Sequence, residues 1–282
     1  MAEVEKLTGH LGGLVHGFQP SDVTDEASAT FLRAALAEHR VLVLPDQHMT
    51  HEQQAALTKV FGAPMQLPYV TPIESDPNVI AVLKEADERA TGVFGGEWHS
   101  DFSFLPNPPA GSVLNAVEIP PFGGDTAWSC QVTAYASLPG YLKELVDTRS
   151  AIHVGKPYGV KFAPPESARA NSSVKMSRGD PDADREIAHP SVVTDPETGQ
   201  RMLFLNPIYT TRFDGMTEEQ SRPFLEQIYK HAIRPDFSMR HKWSAGDVVI
   251  WDNRATLHYA TNDYDGYRRL LYRTTYSGAP PR

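Results

Sequence analysis

Apolar and polar positions along this chain fall into two textures. Up to about residue 77, strand-like and helix-like stretches alternate. Residues 13–19 predict a short strand. Thr24 can cap a helix over 25–40, where Phe31, Leu32, Ala35 and Leu36 recur at the spacing of one helical face. Val41-Leu42-Val43-Leu44 predicts a buried strand. Thr50 with Gln53 three residues on forms a capping box for a second helix, which carries Ala55, Leu57, Val60 and Phe61 and stops at Gly62 and Pro64.

From about residue 78 the pattern changes to short apolar runs separated by Gly, Pro, Asn and Asp. The runs cover 79–83, 111–119, 125–129, 149–154, 202–206, 247–251 and 268–276. Such spacing predicts a sandwich or jelly roll. One helix interrupts it, capped by Thr217 with Gln220 and showing Phe224, Leu225, Ile228, Tyr229 and Ala232 to the core. Residues 155–190, rich in Pro, Ser, Arg and Asp, read as a long loop or lid, a common cover for a site on a rigid barrel. The expectation is one domain over 1–282, mainly β with flanking helices: an α/β section over 1–77 and a jelly-roll core over 78–282.

Composition narrows the partners. A chain of 282 residues that is 40% apolar can bury a large single core. It has no run of 18 apolar residues, and Met-Ala-Glu-Val-Glu-Lys lacks the basic start and apolar core of a signal peptide, so a cytoplasmic protein is expected. The single Cys130 excludes an internal disulfide and a thiolate zinc site, and is expected to serve as a small, half-buried apolar side chain. A net charge of −9 without a Lys/Arg run argues against nucleic acid or an anionic membrane as partner. A homo-oligomer is compatible with all of this. An anionic small molecule would have to be caught by a few locally placed arginines.

Candidate chemistry centres on Gly95-Gly96-Glu97-Trp98-His99-Ser100-Asp101. In an extended segment His99 and Asp101 point the same way and can present an imidazole and a carboxylate to one metal ion. With 11 His and 18 Asp in 282 residues, about 0.7 His-x-Asp triplets arise by chance, so the pair needs a third ligand before it carries weight. His258, closing a short segment after the strand Asp247–Trp251, supplies one. In the last strand Arg269, Leu271, Arg273 and Thr275 share a face, and two arginines turned into a barrel are costly unless each meets an anion.

Two histidines and a carboxylate can occupy one face of an octahedral ion and leave the other positions open, as non-heme Fe(II) oxygenases require. One open pair chelates a keto acid and the third position takes O2. Arg269, eleven residues after His258, is placed to hold the distal carboxylate of 2-oxoglutarate bidentately, and the Thr126 hydroxyl in Gly123-Gly124-Asp125-Thr126 to support it. Other readings stay open. His99 and Asp101 could be a surface pair, His258 a core histidine, and Arg269 part of a salt bridge. Asp252 or Asp263 could hold Arg273. A zinc hydrolase could use the same three ligands without needing Arg269 or Thr126, and a non-catalytic binding barrel could keep the arginines.

Five motifs in order resemble the taurine / aryloxyalkanoate dioxygenase (TauD/TfdA) family. They are Gly-x-x-Trp-His-x-Asp (95–101), Pro-Pro-Ala (108–110), Gly-Gly-Asp-Thr (123–126), Leu-x-x-Asn with Thr-Thr-Arg (203–212), and Trp-Asp-Asn-Arg…His-Tyr-Ala…Arg-Arg-x-x-x-Arg-x-Thr (251–275). The resemblance implies a double-stranded β-helix enzyme using Fe(II), 2-oxoglutarate and O2. It implies iron ligation by His99, Asp101 and His258, co-substrate binding by Thr126 and Arg269, and an acidic group of the prime substrate on Arg273. Leu67 stands where the taurine-specific branch has a His, and Gly95 where that branch has an Asn. With Phe102 and Tyr209 nearby, the expected pocket is apolar and the expected substrate a small hydrophobic organic acid. Hydroxylation is the default outcome, with desaturation, epoxidation or ring expansion open to the same chemistry. A tailoring step on a secondary metabolite such as a terpenoid acid is expected, with scavenging of taurine-like sulfonates or aryloxyalkanoates as the alternative.

Overall fold

In the computed structural model, which describes residues 2–88, 93–162 and 173–282, fifteen strands among the described residues build a double-stranded β-helix with helices packed outside it. In chain order the strands are β1 (Glu3–Lys6), β2 (Gly13–His16), β3 (Val41–Leu44), β4 (Ile80–Lys84), β5 (Pro109–Glu118), β6 (Thr126–Cys130), β7 (Ser150–His153), β8 (Ile187–Pro190), β9 (Val192–Thr194), β10 (Arg201–Leu203), β11 (Thr210–Phe213), β12 (Ser238–His241), β13 (Val248–Asp252), β14 (Thr256–Ala260) and β15 (Arg269–Ser277). The helices are α1 (Glu26–His39), α2 (His51–Phe61), α3 (Gln131–Ala136), α4 (Gly140–Thr148) and α5 (Glu218–Ala232).

A seven-stranded sheet in the order β1-β2-β3-β13-β5-β15-β4 forms one wall. The opposite wall is made of smaller sheets, β12-β6-β14 and β11-β7-β8, with the hairpin β9-β10 beside them. The centre of the large sheet is buried on both faces, which is why β3 and β13 read as unbroken apolar runs. Val41, Val43, Val249, Trp251 and Leu271 face inward onto Trp128, Cys130, Met239 and Trp243 of the opposite wall. Their neighbours Leu42, Leu44, Val248 and Ile250 face outward onto Leu32, Leu36 and Leu57 of α1 and α2. Strand alternation therefore splits one hydrophobic run between two cores.

Both capping boxes form as the sequence predicts. Thr50 Oγ1 accepts the Gln53 N–H at 3.3 Å while Gln53 Oε1 accepts the Thr50 N–H at 2.9 Å, and Thr217 with Gln220 repeats the arrangement at 3.2 and 2.9 Å. The cap of α1 is Asp25 rather than Thr24: its carboxylate takes both the backbone N–H and the hydroxyl of Ser28, at 2.8 and 2.9 Å. Thr24 instead closes a 3-10 turn over Pro20–Thr24, and the strand predicted over 13–19 ends early at His16, where Gly17 takes a left-handed φ of 71°. Cys130 is free and fully buried rather than half-buried.

Three further differences bear on the site. His258 lies in the middle of β14 rather than at the end of a short segment. The strand expected over 202–206 is only Arg201–Leu203, because Asn206 turns the chain by taking the Tyr209 N–H on its side chain at 2.9 Å. Part of the segment read as a lid, residues 163–172, lies outside the described residues; its ends hold the 3-10 turn Pro181–Asp184 and β8. Among the described residues no helix is long and apolar enough to cross a membrane.

Candidate active site

The three proposed metal ligands come from two places that the backbone ties together. His99 and His258 form an isolated antiparallel bridge, with His99 N–H on the His258 carbonyl at 3.0 Å and the reverse bond at 2.8 Å. Their rings lie 4.1 Å apart. Beyond Ser100 the chain leaves the extended form: residues 101–104 make a turn, and Phe102 adopts a left-handed φ of 48°. The simple alternation that placed His99 and Asp101 on one side therefore does not continue, but the turn delivers the carboxylate to the same point. Asp101 Oδ1 is 3.5 Å from His99 Nε2, and Oδ2 is 3.6 Å from His258 Nε2. One donor atom from each residue lies within 4.8 Å of the other two, and all three side chains are buried.

This donor set fits a divalent first-row ion. His99 Nδ1 hydrogen-bonds the Glu97 carbonyl at 2.7 Å, which fixes the tautomer that leaves Nε2 free as a ligand. Burial, reinforced by the neighbouring His99, pushes the His258 imidazole well below its ordinary range, so it is neutral and able to ligate. Burial opposes the charge on Asp101, but the Arg273 guanidinium leads the groups that outweigh it and hold the carboxyl far below the usual carboxylate range. Gly95, with φ +79°, lies against the outer edge of this pair: a side chain there would start 3.3 Å from His99 Cε1.

Thr126 opens β6, which pairs with β14 so that Trp128 stands opposite His258 and Thr126 opposite Ala260. Residues 126 and 128 share a face, so strand geometry brings the Thr126 hydroxyl to the ligand side of the barrel. Trp243 Nε1 donates to Thr126 Oγ1 at 3.0 Å, leaving the hydroxyl hydrogen free to donate elsewhere. Arg269, at the start of β15, is buried with its guanidinium 5.9 Å from the ring centroids of both Trp243 and Tyr264. Its Nε is buried with no hydrogen-bond partner, and no carboxylate pairs with it among the described residues. Burial lowers its pKa, against weaker support from Tyr264 and Asp125. An orphaned guanidinium of this kind suits an incoming carboxylate. Gly124 is needed in front of it: φ is +68°, and an added Cβ would stand 3.0 Å from Arg269 Cδ and Nε.

Arg273 is placed differently. Its Nη1 and Nη2 both reach Asp101, at 3.1 and 2.5 Å, and its Nε and Nη2 also reach Ser112 Oγ at 3.2 and 2.9 Å. The partner is thus Asp101, not Asp252 or Asp263 as weighed in the sequence. Leu67, Phe102 and Tyr209 do come together, in a cluster with Phe104 and Tyr158. Tyr158 stacks on Phe102 at 5.4 Å and on Tyr69 at 5.0 Å. It shares the cluster with Tyr209, and burial raises its pKa to about 12. Ser112, Trp243 and Tyr158 escaped the sequence reading. Ser112 and Trp243 act by contact across strands, and Tyr158 sits in a stretch without periodicity.

A jelly roll carrying two histidines and one carboxylate beside a buried, unpartnered arginine defines an Fe(II)- and 2-oxoglutarate-dependent dioxygenase. The chain belongs to the family described as "Taurine catabolism dioxygenase TauD, TfdA family", whose profile matches residues 3–275. It is 32% identical over 278 residues to an alkylsulfatase of Acinetobacter baylyi, covering 98% of this chain and 85% of that one. It is 31% identical over 283 residues to an alpha-ketoglutarate-dependent sulfate ester dioxygenase of Pseudomonas putida, covering 99% and 90%. The crystal structure of a taurine dioxygenase from Burkholderia xenovorans superposes with a TM-score of 0.82 at 34% identity, covering 99% of this chain and 92% of that one. Fe(II), 2-oxoglutarate and O2 are accordingly its cofactor and co-substrates.

Proposed function

We propose that this dioxygenase oxidises a small hydrophobic organic anion whose charged group is bound by Arg273. The observation that supports this is the junction of a buried guanidinium with an aromatic cluster. Arg273 meets the Asp101 side of the metal site, and Leu67, Phe102, Phe104, Tyr158 and Tyr209 pack together beside Asp101. His99, Asp101 and His258 hold the iron, and Arg269 with Thr126 holds 2-oxoglutarate. When bound, the iron and keto acid supply O2 activation coupled to decarboxylation of 2-oxoglutarate to succinate and CO2. The chain's own part is to fix these groups and aim one C–H bond of the substrate.

In the structure Arg273 is fully engaged by Asp101 and Ser112. A divalent cation on the same carboxylate weakens the attraction between Asp101 and Arg273, and leaves the guanidinium able to bind an anionic substrate. Tyr158 places the 155–162 end of the proposed lid against the pocket, where it keeps water from the reacting carbon.

Two substrate classes fit this pocket. A carboxylic acid on an apolar body, as in a tailoring step on a terpenoid acid, matches one guanidinium in an aromatic setting. A sulfate ester matches the same features, and the relative named a sulfate ester dioxygenase favours it. Hydroxylation of the carbon bearing the ester oxygen would give a hydroxyalkyl sulfate, whose C–O bond to sulfate breaks as the new hydroxyl loses its proton, leaving an aldehyde and sulfate. The test is substrate-dependent succinate release under Fe(II) and O2 across alkyl sulfates, sulfonates, aryloxy acids and polycyclic carboxylic acids. Turnover of hydrophobic anions, lost with their uncharged analogues, is expected. A clear preference for uncharged substrates would overturn the role of Arg273.

A further inference from the structure

Two of the three ligands are held by a direct backbone bridge between His99 and His258, but Asp101 has no strand beside it. The chain turns at Phe102, so the main-chain N–H and C=O of Asp101 have no ladder partner although the residue is buried. One side chain takes that place. Asn253 Oδ1 accepts the Asp101 N–H at 2.7 Å, and Asn253 Nδ2 donates to the Asp101 carbonyl at 3.0 Å. The same Nδ2 donates its second hydrogen to the Pro109 carbonyl at 2.9 Å, so both amide hydrogens are used. The carboxamide thus offers Asp101 the donor–acceptor pair that a neighbouring strand residue would offer.

The clamp is itself held rigidly. Asn253 is fully buried, follows directly on β13, and donates its own N–H to the Ala110 carbonyl at 2.8 Å. Its carbonyl accepts the Ser100 hydroxyl at 2.7 Å, tying the residue before the ligand to the same point. Asp252 fixes the turn from behind, its Oδ1 accepting the N–H groups of Arg254 and Ala255 at 2.8 and 3.2 Å. The turn then leads into β14 and His258. One five-residue corner, 252–256, therefore connects the strand that carries His258 with the backbone of Asp101.

We infer that Asn253 is a positioning residue of the metal centre: its carboxamide, acting as a surrogate strand partner, sets where Asp101 stands relative to the His99–His258 bridge. Its carboxamide is taken up by the main chain of Asp101 and Pro109, so it acts on the metal site through Asp101. Without it, Asp101 keeps its Arg273 contact but loses the main-chain anchor, so the carboxylate is no longer fixed at the distance the two imidazoles require. Outer partners of this kind typically govern metal affinity by about ten- to a hundredfold. The inference rests on the triad holding a divalent ion.

The test is Mn(II) binding to the full chain, read without turnover from the free-ion EPR signal during titration. The parent chain is expected to bind one Mn(II). Asn253→Ala is expected to bind it about ten- to a hundredfold more weakly. Leu32→Ala, in the core between α1 and the outer face of the large sheet, serves as control, because that core contains no neighbour of His99, Asp101 or His258 and the change is expected to leave affinity unchanged. If Asn253→Ala does not accumulate as folded protein, Asn253→Ser takes its place, filling part of the volume but too short to reach both groups of Asp101. Parent-like affinity, within twofold, in the folded Asn253 variant overturns the inference. So does an equal loss in Leu32→Ala, which would mark the effect as general loosening. A parent chain that binds no Mn(II) would overturn the metal reading itself, and the clamp with it.

Discussion

Replacing Arg269 by Met should make the ligand-free protein more stable and its 2-oxoglutarate complex weaker. The guanidinium is buried, its Nε lacks any partner, and burial already lowers its pKa. An apolar side chain of similar length removes that desolvation penalty, for a gain of about 1–2 kcal/mol. Losing one partner of a buried charged hydrogen-bonded pair costs about 2–5 kcal/mol, or roughly 30- to 4000-fold in Kd. Thermal unfolding of the Mn(II) form reads both effects. At a co-substrate concentration of about 100 Kd the parent gains about 2.7 kcal/mol, roughly 5–10 °C in Tm. With Kd raised about 30-fold the same concentration gives under about 1 kcal/mol. The expected pattern is a higher starting Tm and a collapsed shift. A lower starting Tm would show that Arg269 has an internal partner, and an undiminished shift would show that 2-oxoglutarate is held elsewhere; either refutes the reasoning.

Two other substitutions probe what surrounds the site. Trp243→Phe removes the indole N–H that orients the Thr126 hydroxyl, so 2-oxoglutarate should bind about two- to tenfold more weakly in an anaerobic titration of the visible Fe(II)–keto acid band. His153 is fully buried behind Ser103, to which it is hydrogen-bonded at 2.9 Å, and burial takes its imidazole down to about 3. Its folded pKa lies below the unfolded value near 6.5, so no penalty exists above that pH. As pH falls below it, the unfolded chain takes up the proton first and stability drops by about 1.4 kcal/mol per pH unit. Between pH 7 and pH 5, His153→Phe should therefore lose about 2 kcal/mol less than the parent in urea unfolding. Equal losses would mean that His153 is protonated in the folded state.

Periodicity and capping chemistry made much of the scaffold legible, since both signals are local. Val41–Leu44 and Asp247–Trp251 announced buried strands because both their faces are covered, and the two Thr…Gln boxes located α2 and α5. The grouping of His99, Asp101 and His258 was legible because chemistry restricts which residue types can share a metal site. What stayed hidden depends on partners distant in sequence. Asp25 takes the α1 cap from Thr24 because the 3-10 turn before it consumes that position. Tyr158 joins the aromatic cluster through rings distant in sequence, stacking on Tyr69 and Phe102. Asn253 is one polar residue among many until the Asp101 turn lies against it.

The two arginines of β15 show how far alternation goes and where it stops. Arg269 and Arg273 share a strand face, and the pattern predicts equally that both point inward and that both need an anion. Both are buried. What they meet depends on the neighbouring elements. At Arg273 the strand runs beside Ser112 of β5 and the turn carrying Asp101, so the charge is balanced by the chain itself. At Arg269 the facing turn is Gly123-Gly124, which contributes no side chain beyond Cα, and the walls are the rings of Trp243 and Tyr264. Glycines that admit a buried guanidinium while offering it no counter-charge lower stability, and such a cost persists where a ligand returns it. The asymmetry thus argues that Arg269 awaits an anion from outside in every turnover, whereas Arg273 must be drawn from Asp101 by a bound cation before it can engage a second one.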